Sequence, residues 1–153
     1  PILSSRVCAP ASWSALGSGV ISVSALALSG TDLYVGGQFT VAGGVSASNV
    51  AKWNGTAWSA LGSGVNDMVN ALVVSGTDLY AGGRFTTAGG SGANRIAKWD
   101  GNVWSGLGTG LNNNVYALVV SGTDLYAGGL FTTANGVAAS RIAASELSSW
   151  LET

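Results

Sequence analysis

Three aspartates at one fixed interval are the first side chains of this sequence that could do chemistry. Asp32, Asp78 and Asp124 each follow Ser-Gly-Thr and lie 46 residues apart. A ring of such carboxylates could hold a metal ion or a substrate. Aspartate at such a place also bonds backbone N–H groups in tight turns, and this is the role that we favour. We therefore predict no catalytic and no metal-binding residues.

Aromatic side chains offer a second kind of chemistry, because their flat apolar rings can stack on sugar rings. Trp53 and Trp99 are the ligand-binding candidates of this kind, and repeated identical sites would give avidity for repeated ligands. Gln38 and Arg84 are further candidates, since the residue at their place differs between copies and is therefore not set by packing. The competing interpretation, which we favour for the aromatic rings, is packing between structural units.

The composition argues against several functional classes. Lys plus Arg is 6 and Asp plus Glu is 7, so the chain lacks the basic excess that binds nucleic acid. Histidine is absent and Cys8 is the only cysteine, which argues against zinc, copper and haem sites and excludes an internal disulfide. No apolar stretch approaches the roughly 20 residues of a membrane span. We predict a protein without enzyme activity, cofactor, nucleic-acid partner or membrane span.

A repeat of about 46 residues positions all of these side chains. An apolar strand, a Leu-Tyr-x-Gly-Gly strand, a phenylalanine and a tryptophan return in the same order. Recurrence at so many positions indicates three copies of one structural unit. The recurring structural residues are Trp13, Trp58 and Trp104, Tyr34, Tyr80 and Tyr126, and Gly36, Gly37, Gly82, Gly83, Gly128 and Gly129.

Each copy is predicted to form four short strands, because its apolar runs are short and are bounded by glycine, serine and aspartate. In the second copy the strands are predicted over residues 69–76, 78–86, 95–99 and 103–107. Asp100-Gly101 joins the last two strands, and Asn54-Gly55 does so in the first copy; both dipeptides are typical of the type I′ hairpin turn. The glycine pair inside the second strand indicates the close approach of another backbone or of a large aromatic ring.

Four antiparallel strands repeated every ~40 to 50 residues are typical of a β-propeller, in which each sheet, or blade, packs face to face on its neighbours. The order of apolar strand, Leu-Tyr-x-Gly-Gly, aromatic strand and tryptophan resembles the kelch repeat. The unit is also similar to the Ile-Ala-Lys-Trp-Asp-Gly repeats of uncharacterised, often secreted, bacterial proteins. This resemblance implies a propeller in an extracellular or secreted protein, and it implies no reaction.

We predict an all-β protein with about three four-stranded antiparallel propeller blades in a single repeat domain, residues 1–153. An N-terminal segment, residues 1–21, contains an extra blade-closing strand around Trp13. The blades follow over residues 22–62, 68–108 and 115–153, the last with a degenerate C-terminal end. Two interpretations of residues 144–153 stay open: a strand, or a short capping helix with Ser145 as its N-cap.

Three blades alone leave two apolar faces open, whereas propellers have about four to eight blades. We expect the chain to self-associate, as a homodimer with about six blades in preference to a homotrimer with about nine. The N-terminal strand of one copy would then complete the last blade of another. The alternative is that the chain is a segment of a longer repeat protein, since repeat arrays tolerate cutting.

Two functions are consistent with this pattern. The favoured one is a non-catalytic propeller that acts as a structural, assembly or protein-binding module, with a second copy or another protein as its partner. The alternative is a carbohydrate-binding, lectin-like propeller with a glycan as its partner. Buried equivalent tryptophans would favour the first function, and solvent-exposed ones would favour the second.

Overall fold

The computed structural model describes residues 12–150, with side chains described as far as Ser148. Its regular structure in that range consists of β-strands and one 3₁₀ turn, which confirms the all-β prediction. Cys8 lies outside the described residues. No helix within the described range has the length and apolar character needed to cross a membrane.

Three antiparallel sheets follow one another along the chain. Sheet I contains β1 (Val23–Ser29), β2 (Asp32–Gly37), β5 (Val50–Trp53) and β6 (Trp58–Ala60). Sheet II contains β7 (Val69–Ser75), β8 (Asp78–Gly83), β11 (Ile96–Trp99) and β12 (Trp104–Gly106). Sheet III contains β13 (Val115–Ser121), β14 (Asp124–Gly129) and β17 (Ile142–Glu146). In each sheet the strands are neighbours in chain order, so the first strand forms one edge and the last strand the other.

A short hairpin lies between the second and third strands of each sheet, where the sequence predicted only a loop. The hairpins pair β3 (Val41–Ala42) with β4 (Val45–Ser46), β9 (Thr87–Ala88) with β10 (Ser91–Gly92), and β15 (Thr133–Ala134) with β16 (Val137–Ala138). A single bridge, such as Val65 with Ala88, joins each hairpin to the segment that precedes the first strand.

The first strand of sheet II is apolar on both faces, because β7 packs between β1 and β13. Leu72 contacts Gly36 of sheet I, whereas Val73 packs against the cluster that contains Leu125 of sheet III. A strand that is covered on both sides needs no alternation of apolar and polar residues. This position explains the continuous apolar run 71–74.

The apolar core lies between the sheets. Sheets I and II enclose a cluster that includes Leu61, Phe85 and Trp104. Sheets II and III enclose a second cluster around Leu107 and Phe131. Both phenylalanines are fully buried, and truncating a buried phenylalanine typically costs ~3–5 kcal/mol of stability.

The outer faces of sheets I and III carry apolar residues at positions equivalent to those buried between the sheets, but on these faces they are exposed. Leu26 on β1 is 62% exposed, whereas its equivalent Leu72 on β7 is 8% exposed. Ile142 on β17 is 67% exposed, whereas its equivalent Ile96 on β11 is 4% exposed. Further exposed apolar side chains on these two faces are Val23, Leu28, Tyr116 and Val119.

Sheet III differs from the other two at its C-terminal end. β17 is followed by a 3₁₀ turn, Leu147–Trp150, and no fourth strand pairs with β17 within the described range. The Leu147 N–H donates a hydrogen bond to the carbonyl oxygen of Thr123 at 2.7 Å. Ser145 lies inside β17, so its predicted role as the N-cap of a helix was wrong. The segment is a strand as far as Glu146 and a 3₁₀ turn after it.

The hairpin between the third and fourth strands is not the predicted type I′ turn. A type I′ turn needs a positive φ at both of its central residues. Gly55 has a positive φ of 103°, but Asn54 does not. Trp53 pairs directly with Trp58, so the loop contains four residues. Asn54 Oδ1 accepts hydrogen bonds at 2.9 and 2.8 Å from the N–H groups two and three residues further along the chain. This side-chain cap closes a longer loop than the dipeptide alone predicts.

Asp100 closes the equivalent loop of sheet II. Its Oδ1 accepts hydrogen bonds from the N–H groups of Val103 and Asn102, both at 2.8 Å. These bonds favour the charged carboxylate and lower the pKa of Asp100 below its ordinary value.

The glycine pairs make room for a backbone and for an aliphatic side chain, and not for an aromatic ring. A Cβ on Gly37 would collide with the carbonyl oxygen of Ser22, where β1 is bulged against β2. A Cβ on Gly36 would lie 2.5 Å from Val69 Cγ1 of the next sheet. The space beside Gly37 is therefore filled by the backbone at the start of β1, and the space beside Gly36 by the first strand of the next sheet.

Candidate functional site

The repeat tryptophans pack in pairs between neighbouring units. The ring centroids of Trp53 and Trp58 are 5.3 Å apart, and those of Trp99 and Trp104 are 5.4 Å apart. Trp58 and Trp104 are each 8% exposed, whereas Trp53 and Trp99 are half-buried. This burial supports a packing role for Trp58 and Trp104, and it leaves part of each partner ring accessible.

Each buried tryptophan is also fixed by one hydrogen bond to the preceding unit. Trp104 Nε1 donates to the carbonyl oxygen of Leu61 at 2.8 Å. Trp58 Nε1 donates in the same way to the carbonyl oxygen of Leu16 at 2.9 Å. A buried indole N–H needs such an acceptor, so the leucine carbonyl is part of the site that holds the ring.

The four ligand candidates do not form one site. Gln38 and Arg84 are exposed and follow directly after β2 and β8. Trp99 pairs with Leu79 near the start of β8, at the opposite end of that strand from Arg84. Arg84 is five positions further along the chain than Leu79, which is roughly 16 Å in an extended strand. Trp53 lies opposite Leu33 in sheet I and has the same relation to Gln38.

The repeated aspartates lie on separate sheets and are paired with lysine in two of them. The Asp32 and Lys52 side chains are 3.5 Å apart, and those of Asp78 and Lys98 are 3.9 Å apart. In sheet III the lysine position is occupied by Ala144. Within the described range, no group of three or more histidine, cysteine, aspartate or glutamate side chains is arranged to hold a metal ion.

Two of the three tyrosines of the repeat face the next sheet along the chain. Tyr34 packs against the cluster between sheets I and II, and Tyr80 is buried in the cluster between sheets II and III. Burial, and to a lesser extent the negative charge of Asp78, raises the pKa of Tyr80. Tyr126 has the same place on sheet III and is half-buried.

A cavity of about 470 Å³ opens beside sheet III, and we call it the sheet III pocket. Apolar side chains form most of its lining, with Asn135 and Ser145 at its polar part. Leu107, Leu125 and Ala143 are among its apolar residues. Its volume is in the range of pockets that bind a drug-sized molecule.

The lining of the sheet III pocket repeats the surroundings of Trp104 one unit further along the chain. Trp104 belongs to a cluster in which eight residues have a counterpart, 46 positions later, that lines the pocket. These eight residues are Val50, Leu61, Val65, Leu79, Ala81, Ala88, Ala93 and Ala97, and their counterparts in the pocket are Ile96, Leu107, Leu111, Leu125, Ala127, Ala134, Ala139 and Ala143. The pocket therefore corresponds to the place that a tryptophan fills in sheets I and II.

Two pocket residues depart from the repeat. Ser145 takes the place of Trp99, which removes one of the two paired rings. Asn135 takes the place of Gly89 and adopts the same positive φ, 48° against 60°. Asn135 Oδ1 accepts a hydrogen bond from the Thr109 N–H at 2.9 Å, so its side-chain amide is held by the neighbouring loop.

Trp13 is the one described member of the tryptophan series without a packed environment in this chain, at 98% exposure. It precedes Leu16 by three residues, as Trp58 precedes Leu61. Leu16 packs against sheet I and accepts the hydrogen bond of Trp58, as Leu61 does for Trp104. The segment 13–16 thus occupies, relative to sheet I, the position that the end of a preceding sheet would occupy.

The sequence predicted the recurrence of Trp13 but not the pocket. The pocket residues are mostly alanine and leucine, which carry no chemical signal of their own. One signal was present in the sequence, since Ser145 breaks the tryptophan series at a position where the surrounding apolar residues continue.

No protein-family model and no curated protein sequence matches this chain. Among solved structures, the chain is similar to the computationally designed Ika4 protein, with 15% identity and a TM-score of 0.40 over 84% of this chain and 94% of that one. It is also similar to the computationally designed Ika8 protein, with 15% identity and a TM-score of 0.34 over 82% and 46% of the two chains. Similarity this weak carries no argument about fold or function.

Proposed function

We propose that the chain is a non-catalytic assembly module, a kelch-like set of propeller blades that forms a closed ring with further copies of itself. Three antiparallel sheets packed in series, each contacting the next through its first strand, support this proposal. A ring of such sheets presents its loops as a binding surface, so structural and protein-binding roles are compatible with one another. An extracellular location belongs to the same proposal, through the resemblance to often secreted proteins.

The observation that carries the proposal is the complementarity of the two outer faces. Inside the chain, Val115 and Leu118 pack onto Gly82, whose missing side chain leaves room for them. The same glycine of sheet III is Gly128, and among the described residues only the Arg141 carbonyl oxygen lies within 4 Å of the position of a Cβ. The residues that would cover it are Val23 and Leu26 at the other end of the molecule, which are 45% and 62% exposed.

Joining these two faces buries both apolar surfaces at once and repeats the contact already present twice within the chain. Because the two faces differ, the contact is head-to-tail, and it ends only when a ring closes. Two copies give about six sheets, which is within the usual range for propellers, whereas three copies exceed it. We therefore propose a homodimer.

The test compares the mass in solution of the wild-type protein with that of the Leu26→Lys variant. Leu26 is exposed in the single chain, so the variant should fold, but a lysine buried against Gly128 would be desolvated without a partner. We expect a dimer for the wild type and at least about 30-fold weaker association for the variant. Val103→Lys is the matched control, because Val103 is 59% exposed and lies on a loop of sheet II away from both faces.

Sedimentation equilibrium over a range of concentrations measures both the mass and the dissociation constant. A wild type that remains monomeric at high concentration would contradict the proposal. Equal weakening by Leu26→Lys and Val103→Lys would contradict the assignment of the face.

Glycan binding is the second candidate function, supported by the half-buried equivalent rings of Trp53 and Trp99. A glycan array tests it directly, with Trp99→Ala as the variant that should lose binding. Absence of binding by the wild type, or unchanged binding by a folded Trp99→Ala protein, would remove this candidate.

A further inference from the structure

We infer that the sheet III pocket is the receptor for Trp13 of a second copy, whose residues 13–15 add the missing fourth strand to sheet III. This inference rests on the proposed function, since it specifies how two copies close the ring. It goes further in naming a donor side chain, a receptor site and the atoms that meet. Face packing alone would require none of these.

The sheet III pocket would give an indole ring the same apolar contacts and hydrogen-bond acceptor that Trp104 has in sheet II. Leu125, Ala134 and Ala143 stand where Leu79, Ala88 and Ala97 surround Trp104. The carbonyl oxygen of Leu107 stands where that of Leu61 accepts the bond from Trp104 Nε1 at 2.8 Å. An incoming tryptophan would therefore find both apolar contacts and an acceptor for its N–H.

The strand register follows from sheet II. There Trp104 pairs with Trp99, Ser105 with Lys98 and Gly106 with Ala97. Transferred by one repeat, Trp13 lies opposite Ser145, Ser14 opposite Ala144 and Ala15 opposite Ala143. Trp13 and Ser14 have the same residue types as their counterparts Trp104 and Ser105 in β12, and Ala15 is nearly as small as its counterpart Gly106. The incoming strand therefore carries no side chain that is too large for the site.

The departures from the repeat are compatible with this fit. Asn135 has a Cβ where Gly89 has none, and a Cβ on Gly89 would lie 3.0 Å from Trp104 Cβ, so the incoming ring must sit slightly further out. Ser145 provides the space for this shift, because it lacks the indole that Trp99 places beside Trp104. The cavity has a volume of about 470 Å³, and Ser145 in its lining is much smaller than the indole of Trp99.

Within residues 12–150, the chain does not itself place a strand beside the free side of β17. Its own segment 13–16 is held on sheet I through Leu16, and sheet II lies between that place and the pocket. Trp150 lies 46 residues after Trp104, but the backbone of residues 147–150 forms a 3₁₀ turn instead of returning beside β17. A second copy, with its exposed Trp13, is the occupant that the repeat predicts.

The first experiment is disulfide trapping between two single-cysteine chains, both made in a Cys8→Ser background. One chain carries Ser14→Cys and the other Ala144→Cys, the pair that the register places opposite each other. Mixing and mild oxidation should give a covalent heterodimer in high yield. The control mixture replaces Ala144→Cys with Ser59→Cys, on the central residue of β6 in sheet I. Equal yields from both mixtures would overturn the inference.

The second experiment compares the dimer dissociation constants of Trp13→Ala and Trp150→Ala. Loss of a buried tryptophan anchor should weaken association about 30-fold or more for Trp13→Ala, with little change for Trp150→Ala. The reverse result would overturn the inference, because it would show that the chain's own Trp150 supplies the ring. Unchanged association of both variants would also overturn it.

Failure of this inference is distinguishable from failure of the proposed function. If Leu26→Lys is monomeric while Trp13→Ala associates like the wild type, the ring closes by its faces and strand donation is wrong. If the wild type itself is monomeric, both fail. If Trp13→Ala associates weakly, addition of a chain with Ala143→Phe, whose pocket is filled but whose Trp13 is intact, should restore one junction and give a heterodimer.

Discussion

Gly82 and Gly128 have equivalent positions in sheets II and III, but only Gly82 is covered within the chain. A Cβ on Gly82 would lie 2.6 Å from Val115 Cγ1, so Gly82→Ala should destabilise the monomer by ~1–3 kcal/mol through overpacking. Gly128→Ala should leave monomer stability unchanged and weaken self-association, because Val23 of another copy would meet the added methyl group. Urea unfolding of the monomer and sedimentation of the dimer measure the two effects. Equal destabilisation of the monomer by both variants would contradict this assignment.

At the scale of the strand, β17 and β11 have equivalent places in their sheets but differ in how many neighbouring strands they pair with. β11 pairs with β8 on one side and with β12 on the other, whereas β17 pairs with β14 alone within the described range. The amide proton of Ala144, in the middle of β17, should exchange rapidly in the monomer and at least about tenfold more slowly in the dimer. Hydrogen exchange at low and high protein concentration measures this difference. Protection that is independent of concentration would contradict strand addition.

The strands themselves were largely predictable, and their connections were not. The β7 and β8 strands follow from apolar runs bounded by Ser-Gly-Thr, and the structure places them within a residue or three of the predicted ends. The type I′ turn was wrong because the Asn54 side chain caps a four-residue loop, which the dipeptide does not specify. The separation of Trp99 from Arg84 was not predictable, because it depends on the pairing of β11 with β8.

At the scale of the whole molecule, the proposed association through the two open apolar faces should make stability depend on protein concentration. Each face that is buried in a dimer stabilises the folded state by mass action, so the Tm should rise as the protein concentration increases. A hundredfold excess over the dissociation constant corresponds to ~2.7 kcal/mol. Calorimetry at several concentrations should show this rise for the wild type and a constant Tm for Leu26→Lys. A constant Tm for the wild type would contradict association through these faces.

The altered residues around the sheet III pocket should affect the lifetime of the proposed dimer. Ser145 removes one indole, and Asn135 replaces a glycine. In the proposed dimer, the junction between copies should therefore be weaker than the two junctions inside each chain. Rings would open at that seam while the blades stay folded, so differently labelled halves would exchange partners at temperatures well below unfolding.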